Sequence, residues 1–284
     1  MSLKSIALSI LLSSCTITAY EYSCPLVSEG CKTEDVDSCC VPKMGKVLFS
    51  QQWVDRTGAS DKFTIHGFWP DYCDGRHGPN NGCDRQRNYP HLGSELKTYN
   101  QTLYNNLNLY WPSFKGDNEA FWSHEWNKHG TCLSTFEPKC YGKEYKKYED
   151  ANDYFAKVLN MYHKYNYYDI LKKEKIIPGR SYPREAITQA IEKNTDLKVV
   201  ITCRGRSIRE IRTWFMANGK DFKPIETQGR ASCPKVIFYP KKSTRNFIQS
   251  QSDDTKTLIS SSKSTFVLQD LVLNVLKFNV NGHY

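Results

Sequence analysis

The sequence predicts an α+β fold with a mainly antiparallel central sheet, several packed helices and five disulfides. Three observations predict it. Segments with strand-like alternation are interspersed with segments of helical periodicity and do not strictly alternate with them. The chain is rich in buriable aromatic residues (18 Tyr, 13 Phe and 6 Trp), and its cysteines form an even set once the first residues are set aside. At 284 residues it can form a substantial core.

The first residues have the character of a secretion signal. Lys4 precedes a short apolar run from Ile6 to Leu12, and small or polar residues follow to about Ala19. The apolar run is too short to span a bilayer. We therefore expect residues 1–19 to be a signal peptide and the protein to enter the secretory pathway.

The cysteines predict a disulfide framework. Loss of the signal removes Cys15 and leaves ten: Cys24, Cys31, Cys39, Cys40, Cys73, Cys83, Cys132, Cys140, Cys203 and Cys233. In a secreted chain an even set indicates disulfides, here five. The sequence has no Cys-x-x-Cys, which argues against a zinc ribbon. One glycosylation sequon, at Asn100, agrees with secretion.

The first half of the chain predicts two strands and two helices. Residues 46–53 and 62–69 alternate and carry β-branched and aromatic side chains, so we expect strands there. Residues 70–84 are dense in Gly, Pro, Asn and Asp and predict a loop. Helices are expected over 94–111 and from 119 to about 130.

The second half predicts two further helices and three strands. A helix over 143–165 carries apolar positions at helical spacing, which predict a core stripe: Tyr148, Phe155, Leu159 and Tyr162. Residues 183–194 have a proline in the expected first turn of a helix. Strands are expected over the segments 197–204, 207–216 and 235–241.

These elements place one domain at residues 20–242. Beyond about Lys242 the sequence is polar and lacks a core pattern, which indicates a linker or disorder. Residues 265–278 are apolar again and fit a helix, although part of the segment also fits a strand. Charged residues within it argue against a membrane span. Residues 243–284 are therefore interpreted as a linker and a short apolar tail of unknown role.

The stretch FWSHEWNKHGTC, residues 121–132, concentrates reactive side chains. It is one residue longer than the His-Glu-x-x-His signature of zinc proteases. On a regular helix, about 100° per residue places Glu125 and His129 on one face and separates His124 from His129 by about 140°. Lys128 lies on the same side as Glu125. The spacing therefore favours an acid/base site with a cation, with no metal, over a zinc clamp. The alternative is a helix end whose Glu and His satisfy each other.

A second histidine lies in a similar setting. FTIHGFWPDY, residues 63–72, places His66 late in an expected strand, beside Gly67. A glycine in a strand suggests the close approach of a backbone or a ligand. A hydrogen-bonded core histidine is the alternative.

The two segments FTIHGFWPDY and FWSHEWNKHGTC resemble the two signature segments of the ribonuclease T2 family, in the same order and about 55 residues apart. The ten-cysteine pattern is similar to that of its fungal members. The resemblance covers roughly residues 22–242. It implies an endoribonuclease that cleaves single-stranded RNA, with low base specificity, through a 2′,3′-cyclic phosphate to a 3′-phosphate, without a cofactor.

The resemblance also implies the roles of the reactive residues. His129 is the base and His66 is the acid, and the two exchange roles when the cyclic phosphate opens. Lys128 stabilises the negative charge of the phosphorane. Glu125 orients its neighbours or shares a proton with a phosphoryl oxygen, and His124 binds phosphate.

Substrate-binding positions follow from the same resemblance. Trp69 and Asp71 correspond to a base pocket, in which the ring stacks and the carboxylate accepts from an exocyclic amine. His77 stands where fungal members often have Tyr, which leaves base preference open. Gln52 and Phe121 are expected to line the neighbouring base site. Each of these side chains also has a plain packing interpretation.

The disulfides implied by the resemblance are Cys24–Cys40, Cys31–Cys73, Cys39–Cys140, Cys83–Cys132 and Cys203–Cys233. Among them, Cys83–Cys132 would tie the loop after His66 to the helix end that carries His129. That bond would help to hold both histidines in one cleft.

Charge, partners and location complete the expectations. A net charge of +9 suits an acidic partner such as RNA without proving one. We expect a monomer without an obligate protein partner, secreted or delivered to a vacuole or lysosome. Two other classes remain: an RNA-binding or signalling protein that has lost catalysis, and a zinc hydrolase using His66, His124 and His129.

Overall fold

The structure is a computed structural model that describes residue 31 and residues 37–243. The predicted signal peptide, Cys24 and residues 244–284 lie outside the described residues. No helix among the described residues is long and apolar enough to cross a membrane.

One sheet organises the described part of the chain. Its seven strands are β1 (Lys46–Gln52), β2 (Thr64–Asp71), β3 (Arg180–Pro183), β4 (Val200–Arg204), β5 (Ser207–Asn218), β6 (Asp221–Ile225) and β7 (Val236–Tyr239). The order is β2-β1-β5-β7-β3, and β4 and β6 pair with the two halves of β5. All of these pairings are antiparallel except β5–β7, which pairs Ser207 with Phe238 in parallel. The predicted antiparallel sheet is confirmed.

Helices fill the sequence between the strands. Within residues 37–243 they are α1 (Leu92–Tyr99), α2 (Gln101–Tyr110), α3 (Asn118–Lys128), α4 (Glu149–Lys164), α5 (Tyr167–Lys173) and α6 (Arg184–Thr195). The α+β class is therefore confirmed. The elements absent from the prediction are α5, β3 and β6, which are short. The sequence of β6 is largely exposed and contains Pro224, so it has no apolar alternation to detect.

Two helix boundaries differ from the prediction for local reasons. The single helix expected over 94–111 is divided at Asn100, which ends α1 and whose side chain caps α2 by accepting from the Leu103 amide (3.0 Å). Its amide nitrogen donates to Asn152 (3.0 Å). The helix α4 begins after Tyr148, whose φ of 74° does not fit a right-handed helix.

The two faces of the sheet contribute to two separate hydrophobic clusters. Val47, Phe49 and Phe215 belong to the main core with the helices, whereas Leu48 and Trp214 belong to a small separate cluster against which Trp69 packs. Successive strand residues point to opposite faces, and Leu48 pairs directly with both Trp69 and Trp214. Ser50 and its β5 partner Arg212 lie on the same face as Leu48 and Trp214, away from the main core.

Four disulfides lie within the described residues: Cys31–Cys73, Cys39–Cys140, Cys83–Cys132 and Cys203–Cys233. The implied Cys24–Cys40 pair includes a cysteine outside the described residues. Cys83–Cys132 joins the loop after β2 to the turn that follows α3, with its Cα atoms 4.9 Å apart.

Candidate active site

His66 lies at an irregularity in the sheet. In the β1–β2 ladder Ser50 pairs with Gly67 and Gln51 pairs with Ile65, so His66 is left without a partner. A bulge of this kind re-aims a side chain, and bulges are frequent beside active sites. The carbonyl of His66 accepts from the indole nitrogen of Trp111 (3.2 Å), which fixes the backbone at this point.

The re-aimed ring meets a buried carboxylate on β5. His66 Nδ1 lies 2.8 Å from Glu210 Oε1. The other oxygen, Oε2, accepts from Arg212 Nε (2.8 Å) and from Ser50 Oγ (3.3 Å). Burial acts to raise the pKa of Glu210, but the hydrogen bond and charge of His66, together with Arg212, outweigh it and lower the pKa to about 2. The sequence reasoning missed Glu210 and Arg212; the only local signal is a group of three charged residues in β5, Arg209, Glu210 and Arg212.

The second reactive segment is α3. Asp117 caps its first turn by accepting from the Ala120 amide (2.9 Å), and Trp122 and Trp126 anchor it in the core. Glu125 is buried at the same helix, 2% exposed. Burial raises the pKa of Glu125 to about 8, against the opposing effects of a Trp69 hydrogen bond and the Lys128 charge. The carboxyl is therefore neutral across the acidic range.

Trp69 connects the two histidine segments. Its indole nitrogen donates to Glu125 Oε2 (2.8 Å), and its ring lies 4.9 Å from that of His66 and 5.5 Å from that of His129, between centroids. Gly67 makes this arrangement possible, because a Cβ there would lie 2.1 Å from Trp69 Nε1 and 2.4 Å from Glu125 Oε2. The close approach expected at Gly67 is thus that of a ring and a carboxyl.

The helical-wheel expectation for His124 and His129 is wrong. It assumed a continuous helix, but α3 ends at Lys128, and His129 adopts the C-cap conformation (φ −116°, ψ −51°). The two rings are 5.9 Å apart, and donor atoms of His124, Glu125 and His129 lie within 4.8 Å of one another. Spacing alone therefore does not exclude a metal. The donor set fits a cation poorly, because the positive charge of Lys128 acts on all three groups.

Electrostatics make His129 a neutral imidazole. Burial lowers the pKa of His129 to about 3, and the charges of Lys128, His124 and His66 act in the same direction. Burial, followed by the charge of Lys128, also lowers the pKa of His124. His129 is thus unprotonated near neutral pH.

The loop after β2 is fastened to the end of α3. Besides the disulfide, Thr131 Oγ1 accepts from the Cys83 amide (3.2 Å), and Arg87 donates to the carbonyl of Thr131 (2.7 Å). At Gly82 a Cβ would lie 1.9 Å from the carbonyl oxygen of Asn127, so the loop backbone touches the last turn of α3. These contacts fix the segment that contains His66 relative to the one that contains His129.

The expected base-binding residues differ in how exposed their side chains are. Asp71 and His77 form a bridge at the end of β2, with Asp71 Oδ1 3.0 Å from His77 Nδ1, and the His77 side chain is 89% exposed. Phe121 is partly buried against the core. Gln52 is fully buried, and its amide nitrogen donates to the Ile65 carbonyl (3.4 Å).

Known proteins resemble this chain over most of its length. Residues 31–233 match the model of the ribonuclease T2 family. Ribonuclease Rh of Rhizopus niveus is 36% identical over 243 residues, covering 85% of this chain and 98% of that protein. Ribonuclease T2 of Aspergillus oryzae is 37% identical over 226 residues, covering 74% and 80%. The crystal structure of actibind, described as a T2 ribonuclease, matches 76% of this chain and 96% of its own with a TM-score of 0.70 and 32% identity.

Proposed function

The chain belongs to the ribonuclease T2 family and is a T2-type endoribonuclease, and from that premise we propose that it cleaves single-stranded RNA by metal-independent transphosphorylation. The observation that carries the proposal is the arrangement of His66 and His129 on either side of Trp69, with a neutral buried Glu125 bonded to the same indole.

The reaction needs one proton acceptor and one proton donor. His129 takes the proton of the 2′-hydroxyl as its oxygen bonds to phosphorus, and His66 gives a proton to the departing 5′-oxygen as the P–O bond breaks. The product is a 2′,3′-cyclic phosphate. Water then opens the ring with the two histidines in exchanged roles, which gives a 3′-phosphate. The neutral state of His129 suits the first step.

Three further side chains stabilise the phosphorane. Lys128 supplies a positive charge beside all three groups of the cluster. Glu125, protonated below a pKa of about 8, can donate a hydrogen bond to a phosphoryl oxygen. His124, exposed at the outer side of α3, binds phosphate.

Substrate selection follows from the same chemistry. DNA lacks the 2′-hydroxyl that serves as nucleophile and is not cleaved. Asp71 and the exposed faces of Trp69 and His77 contact one base, and Phe121 borders its neighbour, whereas Gln52 is fully buried and does not reach a base. Because base stacking tolerates every base, we propose low base specificity.

The proposal extends to organisation and location. Residues 20–242 form the catalytic domain after removal of a signal peptide at 1–19, and 243–284 are a linker and tail. The disulfides support an oxidising compartment, so the enzyme is secreted or passes through the secretory pathway to a vacuole or lysosome, as a monomer.

A single assay tests the reaction. Purified full-length protein is incubated with single-stranded RNA, with and without EDTA, and the ends are analysed. We expect cyclic phosphate ends in both conditions, loss of cleavage in His66→Ala and His129→Ala, and no cleavage at a 2′-deoxy position. Loss of activity in EDTA would instead support a metal held by His124, Glu125 and His129. Substantial activity in either histidine variant would refute the assigned roles.

A further inference from the structure

We propose that Glu210 is a positioning residue for RNA cleavage: held by Arg212 and Ser50, it orients His66 so that the ring can deliver a proton to the leaving oxygen. This inference rests on the acid role proposed for His66. Nothing in the sequence motifs includes Glu210, which lies 144 residues further along the chain.

The two carboxylate oxygens of Glu210 have different partners. Oε1 faces His66 Nδ1 at 2.8 Å, and Oε2 is occupied by Arg212, whose Nε and Nη2 lie 2.8 and 2.7 Å away, and by Ser50. The Glu210 side chain is only 7% exposed, so water competes little for either oxygen. The carboxylate is therefore fixed before it meets the histidine.

The pairing of the strands brings His66 and Glu210 close together. Glu210 and Arg212 are two residues apart on β5, so their side chains share a face. On the neighbouring strand β1 they pair with Gln52 and Ser50, respectively. His66 belongs to β2, on the other side of β1. The bulge at His66 releases this residue from the ladder and lets its ring reach across β1 to β5.

The position of Glu210 determines which ring nitrogen of His66 transfers a proton. Glu210 approaches the ring at Nδ1, so Nε2 is the nitrogen that exchanges a proton with substrate. Arg212 on β5 pairs with Glu210, and the charge of His66 acts on His124 and His129 of the α3 segment. None of these three groups is an anion, so Glu210 is the carboxylate that faces His66 at 2.8 Å.

The test separates proton delivery from general damage. Glu210→Gln and Glu210→Ala are compared with the wild type on a dinucleotide and on a uridine 3′-phosphate ester of 4-nitrophenol, whose leaving group needs no proton. We expect kcat on the dinucleotide to fall roughly 10²-fold with KM nearly unchanged, because general acid catalysis contributes about that much. Cleavage of the aryl ester should change by less than about threefold, because its leaving group needs no proton from His66.

Controls keep the result interpretable. Glu192→Gln removes a surface carboxylate paired with Lys198 and should leave both substrates unaffected. Arg212→Gln, at a partly exposed residue, should give a smaller loss with the same selectivity, and it serves if the Glu210 variants do not fold. Equal losses on both substrates would overturn the proposal. If His66→Ala itself slows both substrates equally, the acid assignment of His66 fails, and the result counts against the proposed function instead.

Discussion

Gly67 offers the sharpest test of the site, because it is where the two reactive segments touch. An alanine Cβ at this position would lie 2.1 Å from Trp69 Nε1 and 2.4 Å from Glu125 Oε2. Ordinary contacts between such atoms are about 3.5 Å, so the indole and the carboxyl must each retreat by about 1 Å. Alanine fits the backbone of an extended strand, so the effect of Gly67→Ala is steric.

The size of the effect can be worked from those distances. A displacement of about 1 Å among reacting groups costs about 10²-fold in rate. The retreat also breaks the hydrogen bond from Trp69 to the buried Glu125, and a buried polar group left without a partner costs about 2 kcal/mol. For a domain of this size that lowers the Tm by about 4–8 °C. We therefore expect kcat/KM to fall about 100-fold while most of the protein remains folded at 25 °C.

The assay is initial-rate cleavage of a dinucleotide, with thermal unfolding of the same samples. Gly205→Ala is the control for the added methyl group: a Cβ there meets nothing within 4 Å, although the φ of Gly205 (+60°), unlike that of Gly67, disfavours alanine. The control should lose some stability through backbone strain and keep its activity. A Gly67→Ala enzyme with kcat/KM within threefold of the wild type would refute the contact geometry of the site.

Two further predictions concern stability. Because burial raises the pKa of Glu125 from 4.5 to about 8, the folded state holds a proton that the unfolded state has lost, so this group makes the free energy of unfolding fall as pH rises from 4.5 to 8, by about 1.4 kcal/mol per unit. Urea unfolding at pH 5 and pH 8 should show a smaller decrease in Glu125→Gln, and equal decreases would contradict the raised pKa. Replacing Cys83 and Cys132 by Ser opens a loop of 49 residues and should cost about 4 kcal/mol, with a loss of kcat below the Tm. Replacing Cys203 and Cys233, 30 residues apart, should cost nearly as much stability without that loss of kcat, and equal kcat in both double variants would contradict the role given to the first bond.

The sequence determined the class of the fold because the relevant signals are local. Alternation over 46–53 and 62–69 is a property of neighbouring residues, and it found β1 and β2 nearly to their ends. Helical periodicity located α3 and α4. The errors in the predicted helix boundaries were also local. The cap at Asn100 and the positive φ of Tyr148 interrupt helices without changing the apolar pattern.

The tertiary structure decided how the reactive residues are arranged. The two signature segments identify His66, Glu125 and His129, but their geometry depends on a bulge and on a helix end, and both arise from contacts with other elements. The helical wheel therefore failed for His124 and His129. The sequence did not reveal Glu210 for a similar reason: its role exists only because β5 pairs with β1, and neither segment contains a local pattern that predicts this long-range pairing. The sequence thus determines which side chains can perform the chemistry, while burial and sheet pairing decide which of them are neutral, which are charged and which way they face.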